Sequence, residues 1–408
     1  ERHESDWAWD QDSKTLSLEL TFQDSLYPIA LDPTLQFTAP ATSNTGEVIT
    51  GEVSSQFGNS MITGDFNADG KMDLAVGALG YSSNTGRVYL FYQDGALSTT
   101  AVGADVVITG EGTGNRLGAS LAAGDLNTDG KTDLAVGAQG YSTNTGRAYI
   151  FYNDGSYPTS AASADVIITG EATGNYFGNS LISGDFNADS KADLVVGAYG
   201  YSSFTGRAYI FYNDGSIPTT AATADVIITG EATNNFFSAS MAAGDFNADG
   251  RTDLAVGAQS YSSNTGRAYI FYNDGSIPTA AGSADVIITG EATSNSFGSA
   301  IVAGDLNADG KTDLVVSAVL YSSGTGRTYI FYNDGSIPTT AATADVIITG
   351  ETAGDYFGQR LIASDLNTDG RIDLIAGTNS YSSFTGRAYI FYSQNGQVNT
   401  NKSIAGGA

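Results

Sequence analysis

Asp65-Phe66-Asn67-Ala68-Asp69-Gly70-Lys71-Met72-Asp73 decides the reading of this chain, because it returns every sixty residues. Further copies start at Asp125, Asp185, Asp245, Asp305 and Asp365, and each runs into an apolar strand such as Leu74-Ala75-Val76-Gly77. Aspartate or asparagine stands at positions 1, 3, 5 and 9, with glycine at position 6 in five of the six copies. Calcium takes six to eight oxygen ligands at flexible distances. Positions 1, 3 and 5 of a tight turn can face one ion, position 7 can offer its carbonyl, and position 9 can close the site. The candidate ligands are therefore Asp65, Asn67, Asp69, Lys71 and Asp73 in the first loop, and Asp125, Asn127, Asp129, Lys131 and Asp133 in the second. They are Asp185, Asn187, Asp189, Lys191 and Asp193 in the third, and Asp245, Asn247, Asp249, Arg251 and Asp253 in the fourth. The fifth has Asp305, Asn307, Asp309, Lys311 and Asp313, and the sixth Asp365, Asn367, Asp369, Arg371 and Asp373. Ser190 replaces the glycine of the third copy, so that loop is expected to be strained. A metal-free Asx turn explains one such loop; six would leave crowded, unneutralised carboxylates. An EF-hand is excluded because it needs a glutamate at position 12 between helices, and dockerin-like loops need helices after them.

Around each loop the sequence reads as strands. In the second unit these are Leu121-Gly124, Leu134-Ala138, Gly146-Tyr152 and Asp165-Glu171, separated by the turn signals Tyr141-Thr145 and Asn153-Asp154-Gly155. No helical periodicity interrupts them. Four antiparallel strands per unit predict an all-β propeller, not a solenoid, which would need polar end caps. The last repeat lacks its fourth strand, while Glu47-Val48-Ile49-Thr50-Gly51-Glu52 copies that strand ahead of the first repeat. The expected fold is a β-propeller of six four-stranded blades closed by this N-terminal strand. Seven is the alternative count if the N-terminal region supplies a diverged blade. The expected divisions are an N-terminal β segment at 1–46, the propeller at 47–395 and a flexible tail at 396–408.

The unit resembles the FG-GAP repeats of integrin α-subunit propellers and related bacterial secreted proteins. Phe-Gly stands at Phe57-Gly58, Phe177-Gly178, Phe297-Gly298 and Phe357-Gly358, drifting to Leu117-Gly118 and Phe237-Ser238. Gly-Ala stands at residues 77, 137, 197 and 257, drifting to Ser317-Ala318 and Gly377-Thr378, and the usual following proline is absent. The resemblance spans 47–392 and implies a calcium-stabilised propeller, often in adhesion.

Composition narrows the partners. Net charge is −27, which repels nucleic acid and anionic membranes; six structural Ca²⁺ would bring it to about −15. There are no cysteines, so disulfides and thiolate metal sites are excluded. Millimolar extracellular calcium fills weak sites easily, which favours an extracellular protein, secreted or at the cell surface. The chain begins at Glu1 with no signal peptide or long apolar span, so it reads as a mature or trimmed product without membrane insertion.

Other repeated residues have plainer readings. Arg87, Arg147, Arg207, Arg267, Arg327 and Arg387 are expected to pair with each blade's own strand-four glutamate, such as Glu111 or Glu171, rather than grip an anion. The run Tyr149-Ile150-Phe151-Tyr152 is expected to pack between blades. In a meander the calcium loops share one face with the nearly invariant Asn-Asp-Gly turns. The opposite face carries the 2–3 and 4–1 loops, where the copies diverge. Tyr199, Phe204, Phe236, Tyr356 and Phe384 are the candidate ligand-binding residues on it.

Residues 1–46 do not repeat. Leu16, Leu18, Leu20 and Phe22 alternate with polar residues as in a one-sided strand. Tyr27–Pro33 reads as a second strand, and Trp7 and Trp9 as a third. Some 45 residues without a disulfide rarely hold a core, so this segment is expected to lie on its own propeller or to augment a neighbouring chain, which would build a fibre. No nucleophile, base or carboxylate pair departs from the repeated frame, so no enzyme is expected. The function expected is extracellular adhesion or self-assembly through protein contacts. A glycan-binding lectin, or a non-catalytic part of a larger secreted protein, are the alternatives.

Overall fold

The computed structural model describes residues 6–10, 15–19, 29–30, 48–367, 369–381, 386–394 and 397–398. Six four-stranded sheets follow one another along the chain as a six-bladed, all-β propeller. Blade one consists of Phe57–Gly64, Asp73–Ala78, Arg87–Phe91 and Val106–Thr109, paired antiparallel in that order. Blades two to five repeat this meander from Leu117, Leu181, Phe237 and Phe297. Blade six has Arg360–Ser364, Asp373–Thr378 and Arg387–Phe391. Among the described residues no helix is long and apolar enough to cross a membrane.

The second strand of each blade is apolar on both faces because both faces are covered by neighbouring sheets. The core accordingly lies between blades. One cluster joins blades one and two through Phe66, Ala75, Val88, Leu121, Leu134 and Tyr149, and four more link the following blades pairwise up to blade six. The Phe of each Phe-Gly landmark packs edge-on against its own third strand, as Phe177 does on Tyr209 at 5.4 Å. The glycine beside it has a different reason. Gly178 takes φ +85°, and its carbonyl lies so close to Gly137 of the preceding blade that a Cβ there would sit 2.0 Å from it. Glycine at both landmarks lets consecutive blades approach this closely.

Polar contacts repeat across the same interfaces. Asn153 Nδ2 donates to the Asp65 carbonyl at 3.2 Å, and Asn213 to that of Asp125 at 3.3 Å. The six arginines all pair with glutamates, at 2.6–2.9 Å. Each glutamate comes from the end of the preceding unit's fourth strand, so the pairs join blades. Every arginine also stacks on a tyrosine, as Arg147 does on Tyr141 at 3.7 Å.

The polar 2–3 connection contains a short left-handed turn. Ser142, Thr143 and Asn144 have φ of 45°, 56° and 61°, and the other described connections of this type repeat the pattern. Before strand four, a 3₁₀ turn such as Ala161–Ser163 fills the Ser/Ala/Thr connector.

The N-terminal expectations need one correction. Three strands are described there: β1 (Asp6–Asp10), β2 (Thr15–Glu19) and β3 (Ile29–Ala30). β1 and β2 pair antiparallel, with Trp7 opposite Leu18 and Trp9 opposite Leu16. The strand beside Arg387–Phe391 is β3, with Ala30 opposite Tyr389 and Ile29 opposite Ile390. The 47–52 copy of strand four does not take that place. Thr50 bridges Thr100 of blade one, and Glu52 accepts from Arg87 at 2.9 Å and from the Tyr89 hydroxyl at 2.6 Å. That charged pairing holds the segment to blade one. Arg387 therefore lacks the strand-four threonine that receives Nε in every other blade, and its Nε is buried without a partner. At the C-terminal end, Ser393–Gln394 pairs with Gln397–Val398, and Val398 is buried.

Candidate functional site: loop oxygens on one face and stacked rings on the other

The nine-residue loops connect strands one and two. In the first, Asp65 Oδ1 and Asn67 Oδ1 both accept from the Asp69 N–H at 3.0 Å, so positions 1 and 3 converge. Asp65 Oδ2 accepts from Gly70 N, and Asp69 Oδ1 from Lys71 N, each at 2.9 Å. The turn is made by Ala68 and Gly70 at φ of 59° and 83°. Ser190 adopts the same left-handed backbone at 68°, which costs a side-chain-bearing residue about 1–2 kcal/mol. The strain expected there is present in the geometry. Lys71 Nζ crosses to the Gln93 carbonyl at 3.0 Å, placing the loop beside the strand 3–4 turn as the meander requires.

Position 9 is buried at the base of the loop. Asp133 is fully buried; its Oδ2 accepts from Leu126 N at 2.9 Å and its Oδ1 from Asn153 N at 2.8 Å. It ties the loop to the end of strand three. Burial pushes the carboxyls of Asp133, Asp193, Asp253 and Asp313 up to about 6, against the pull of their N–H donors. With position 9 turned inward, no group of three acidic or histidine side chains is gathered closely enough to hold a metal among the described residues. The donor set is nonetheless entirely oxygen, two of its side chains already meet at one N–H, and no nitrogen or sulfur ligand intrudes. That chemistry fits a hard cation such as Ca²⁺.

The opposite face holds a cluster of rings. Tyr176 stacks on Tyr199 at 4.9 Å and 14°, Tyr199 on Phe236 at 5.7 Å and 15°, and Phe236 on Phe204 at 4.8 Å and 18°. Three of the predicted ligand-face residues thus meet. Tyr176 was missed, although it occupies the same repeat position as Phe236 and Tyr356. Tyr356 stands apart, against Gly324, and Phe384 lies outside the described residues. Tyr176, Phe204 and Phe236 all have left-handed backbone, at φ of 56°, 63° and 57°. Bulky residues rarely accept this conformation. Asn84, Asn144, Asn264 and Gly324 fill the place of Phe204 in other blades, and these types tolerate it better. A cavity of about 510 Å³, lined by Thr173, Asn175, Tyr176, Ser202, Ser203 and Phe204, opens beside the rings. Tyr199 and Phe236 also reach a cavity of about 740 Å³ with Gln139, Gln259 and Arg360.

Comparison with known proteins agrees with this architecture. The FG-GAP repeat family matches residues 57–91, 117–151, 177–211, 237–271 and 297–331. Phosphatidylinositol-glycan-specific phospholipase D of Bos taurus is 28% identical over 367 residues, covering 78% of this chain and 43% of that protein. Integrin alpha-IIb of Mus musculus is 38% identical over 165 residues, covering 37% of this chain and 16% of that protein. Integrin alpha-PS2 of Drosophila melanogaster is 31% identical over 222 residues, or 50% of this chain and 15% of its own length. The chain thus spans less than half the length of these relatives. The matched repeats and the blades built on them make this chain an FG-GAP β-propeller resembling those of integrin α-subunits.

Proposed function

We propose that this chain is a calcium-stabilised, extracellular, non-catalytic propeller that binds a protein partner in adhesion. The observation that carries this reading is the cluster of Tyr176, Tyr199, Phe204 and Phe236 on the divergent face. Strained backbone persists where function requires it, and aromatic side chains dominate the energetics of protein interfaces. The loops on the other face support a structural role for Ca²⁺, with positions 1, 3 and 5 and the position-7 carbonyl holding the ion. When bound it supplies charge that neutralises the loop carboxylates. Position 9 keeps the loop anchored to the blade. Integrins in the comparison favour a protein partner; the phospholipase activity belongs to a relative of which this chain covers only 43%.

The test is an array of purified extracellular proteins, run in parallel with a glycan array. The wild type is compared with a Tyr176→Ser, Phe204→Asn, Phe236→Ser variant and with Asp214→Ser on the calcium face. Protein hits lost only in the triple variant support the reading. Hits that survive it, or hits confined to glycans, contradict it.

A further inference from the structure

The turn between strands three and four of blade two begins at Asn153, and this one residue touches two loops. Its N–H donates to Asp133 Oδ1 at 2.8 Å and its carbonyl accepts from Lys131 Nζ at 3.0 Å, so positions 9 and 7 of its own loop hold its backbone. Its side-chain amide leaves the blade and donates to the carbonyl of Asp65, position 1 of the preceding loop, at 3.2 Å. Asn213 repeats all three bonds, with Asp193 at 2.8 Å, Lys191 at 3.1 Å and the Asp125 carbonyl at 3.3 Å. Asn273 makes them with Asp253, Arg251 and the Asp185 carbonyl, at 2.8, 3.1 and 3.4 Å. Asn333 bonds Asp313 at 2.9 Å and the Asp245 carbonyl at 3.4 Å. In blade six, Ser393 donates its N–H to Asp373 Oδ1 and its hydroxyl to the Leu306 carbonyl of loop five, both at 2.9 Å. These five residues are at most 3% exposed, so water competes little for the bonds that cross between blades.

We infer that neighbouring loops are energetically coupled through these residues, so that an ion held by one loop raises the affinity of the loops on either side. The inference rests on the reading that the loops hold Ca²⁺. Loop three, once ordered, fixes Lys191 and Asp193, and these fix Asn213 through its two backbone groups. The Asn213 amide then holds the carbonyl of Asp125, whose own carboxylate is the first candidate ligand of loop two. A loop whose first residue is already held loses less conformational freedom on binding, which gives positive cooperativity without a change of shape. Linkage makes the effect equal in both directions. Couplings between sites commonly span about 5- to 150-fold in affinity, and a single cross-blade bond of 3.2–3.4 Å places this one at the low end, about fivefold.

The experiment is a mutant cycle across loops two and three of the full-length chain. Ca²⁺ is titrated into chelated protein, and amide hydrogen exchange with mass spectrometry reads the protection of residues 125–133. Asp189→Ala removes a candidate ligand of loop three and leaves loop two intact. Asn213→Ala removes the cross-blade donor and keeps both backbone groups. Each single variant is expected to raise the Ca²⁺ midpoint of residues 125–133 about fivefold, and the double variant to raise it no further than either. A midpoint that either single variant leaves unchanged overturns the inference. So does a double variant that shifts by the product of the two single effects, because Asn213 would then lie off the route. Asp189 is exposed, so its variant keeps the test decisive should Asn213→Ala fail to fold. In all these cases loop two still responds to Ca²⁺. Wild-type protection that never responds to Ca²⁺ would instead overturn the calcium reading, and the inference with it.

Discussion

Glu111 and Arg147 come from consecutive units and meet at 2.6 Å, joining the end of one blade's fourth strand to the third strand of the next. The same Glu111 oxygen accepts from the Tyr149 hydroxyl at 2.6 Å. Glu111→Ala removes the acceptor from both donors in a site only about one-fifth exposed. A loss of about 2–3 kcal/mol is expected from hydrogen bonds to a charged group. Urea unfolding measures it. Arg147→Lys keeps the charge but loses the Nε bond to Thr169 and the stack on Tyr141, so it should fall by about 1 kcal/mol. Equal losses in the two variants would show that charge alone matters.

Ser190→Gly is expected to stabilise the chain. Its φ of 68° is left-handed, and glycine occupies the equivalent place in the other loops, as at Gly70 and Gly130. The gain is about 1 kcal/mol, visible as a higher melting temperature. A fall instead would mean that the serine side chain supports the loop.

Phe204→Asn separates stability from recognition. Asparagine relieves the left-handed backbone, offsetting lost ring stacking of about 0.5–1.5 kcal/mol. The melting temperature should hardly move, while affinity for an array-identified partner drops roughly 30-fold or more, the size of an interface hot spot. Parallel loss of both would make the cluster a packing element between blades.

Asp133→Asn tests the inward role of loop position 9. Leu126 N and Asn153 N use different carboxylate oxygens, and an amide turns one of those acceptors into an NH2 donor, so one of the two N–H groups loses its partner. A loss of about 1–3 kcal/mol follows in chelator-treated protein. Undiminished stability would show that these two bonds do not anchor the loop.

Much of this architecture was legible in the residues. The sixty-residue period, the doubly apolar second strand and the turn signals led to antiparallel blades, and six four-stranded sheets are present. The arginine–glutamate pairing was also legible from its one-to-one count. Its direction was not, because sequence does not say whether Glu111 turns to its own blade or the next. The fate of 47–52 was missed for the same reason: a strand copy carries two sets of contacts, and Thr50 keeps only the set toward blade one. Position 9 was read as a loop ligand because period and charge match positions 1 and 5. Its burial and its two N–H partners emerge only when strand three is folded beside it. The ring cluster was found through divergence between copies, and Tyr176 escaped because it was judged alone instead of with Phe236 and Tyr356.

The claim that the aspartate loops hold calcium is tested most directly by native mass spectrometry of the full chain, chelated and then returned to millimolar Ca²⁺. The account predicts a shift to species carrying about six ions, with a parallel rise in melting temperature. A spectrum that stays metal-free in millimolar Ca²⁺, with an unchanged melting temperature, would contradict it.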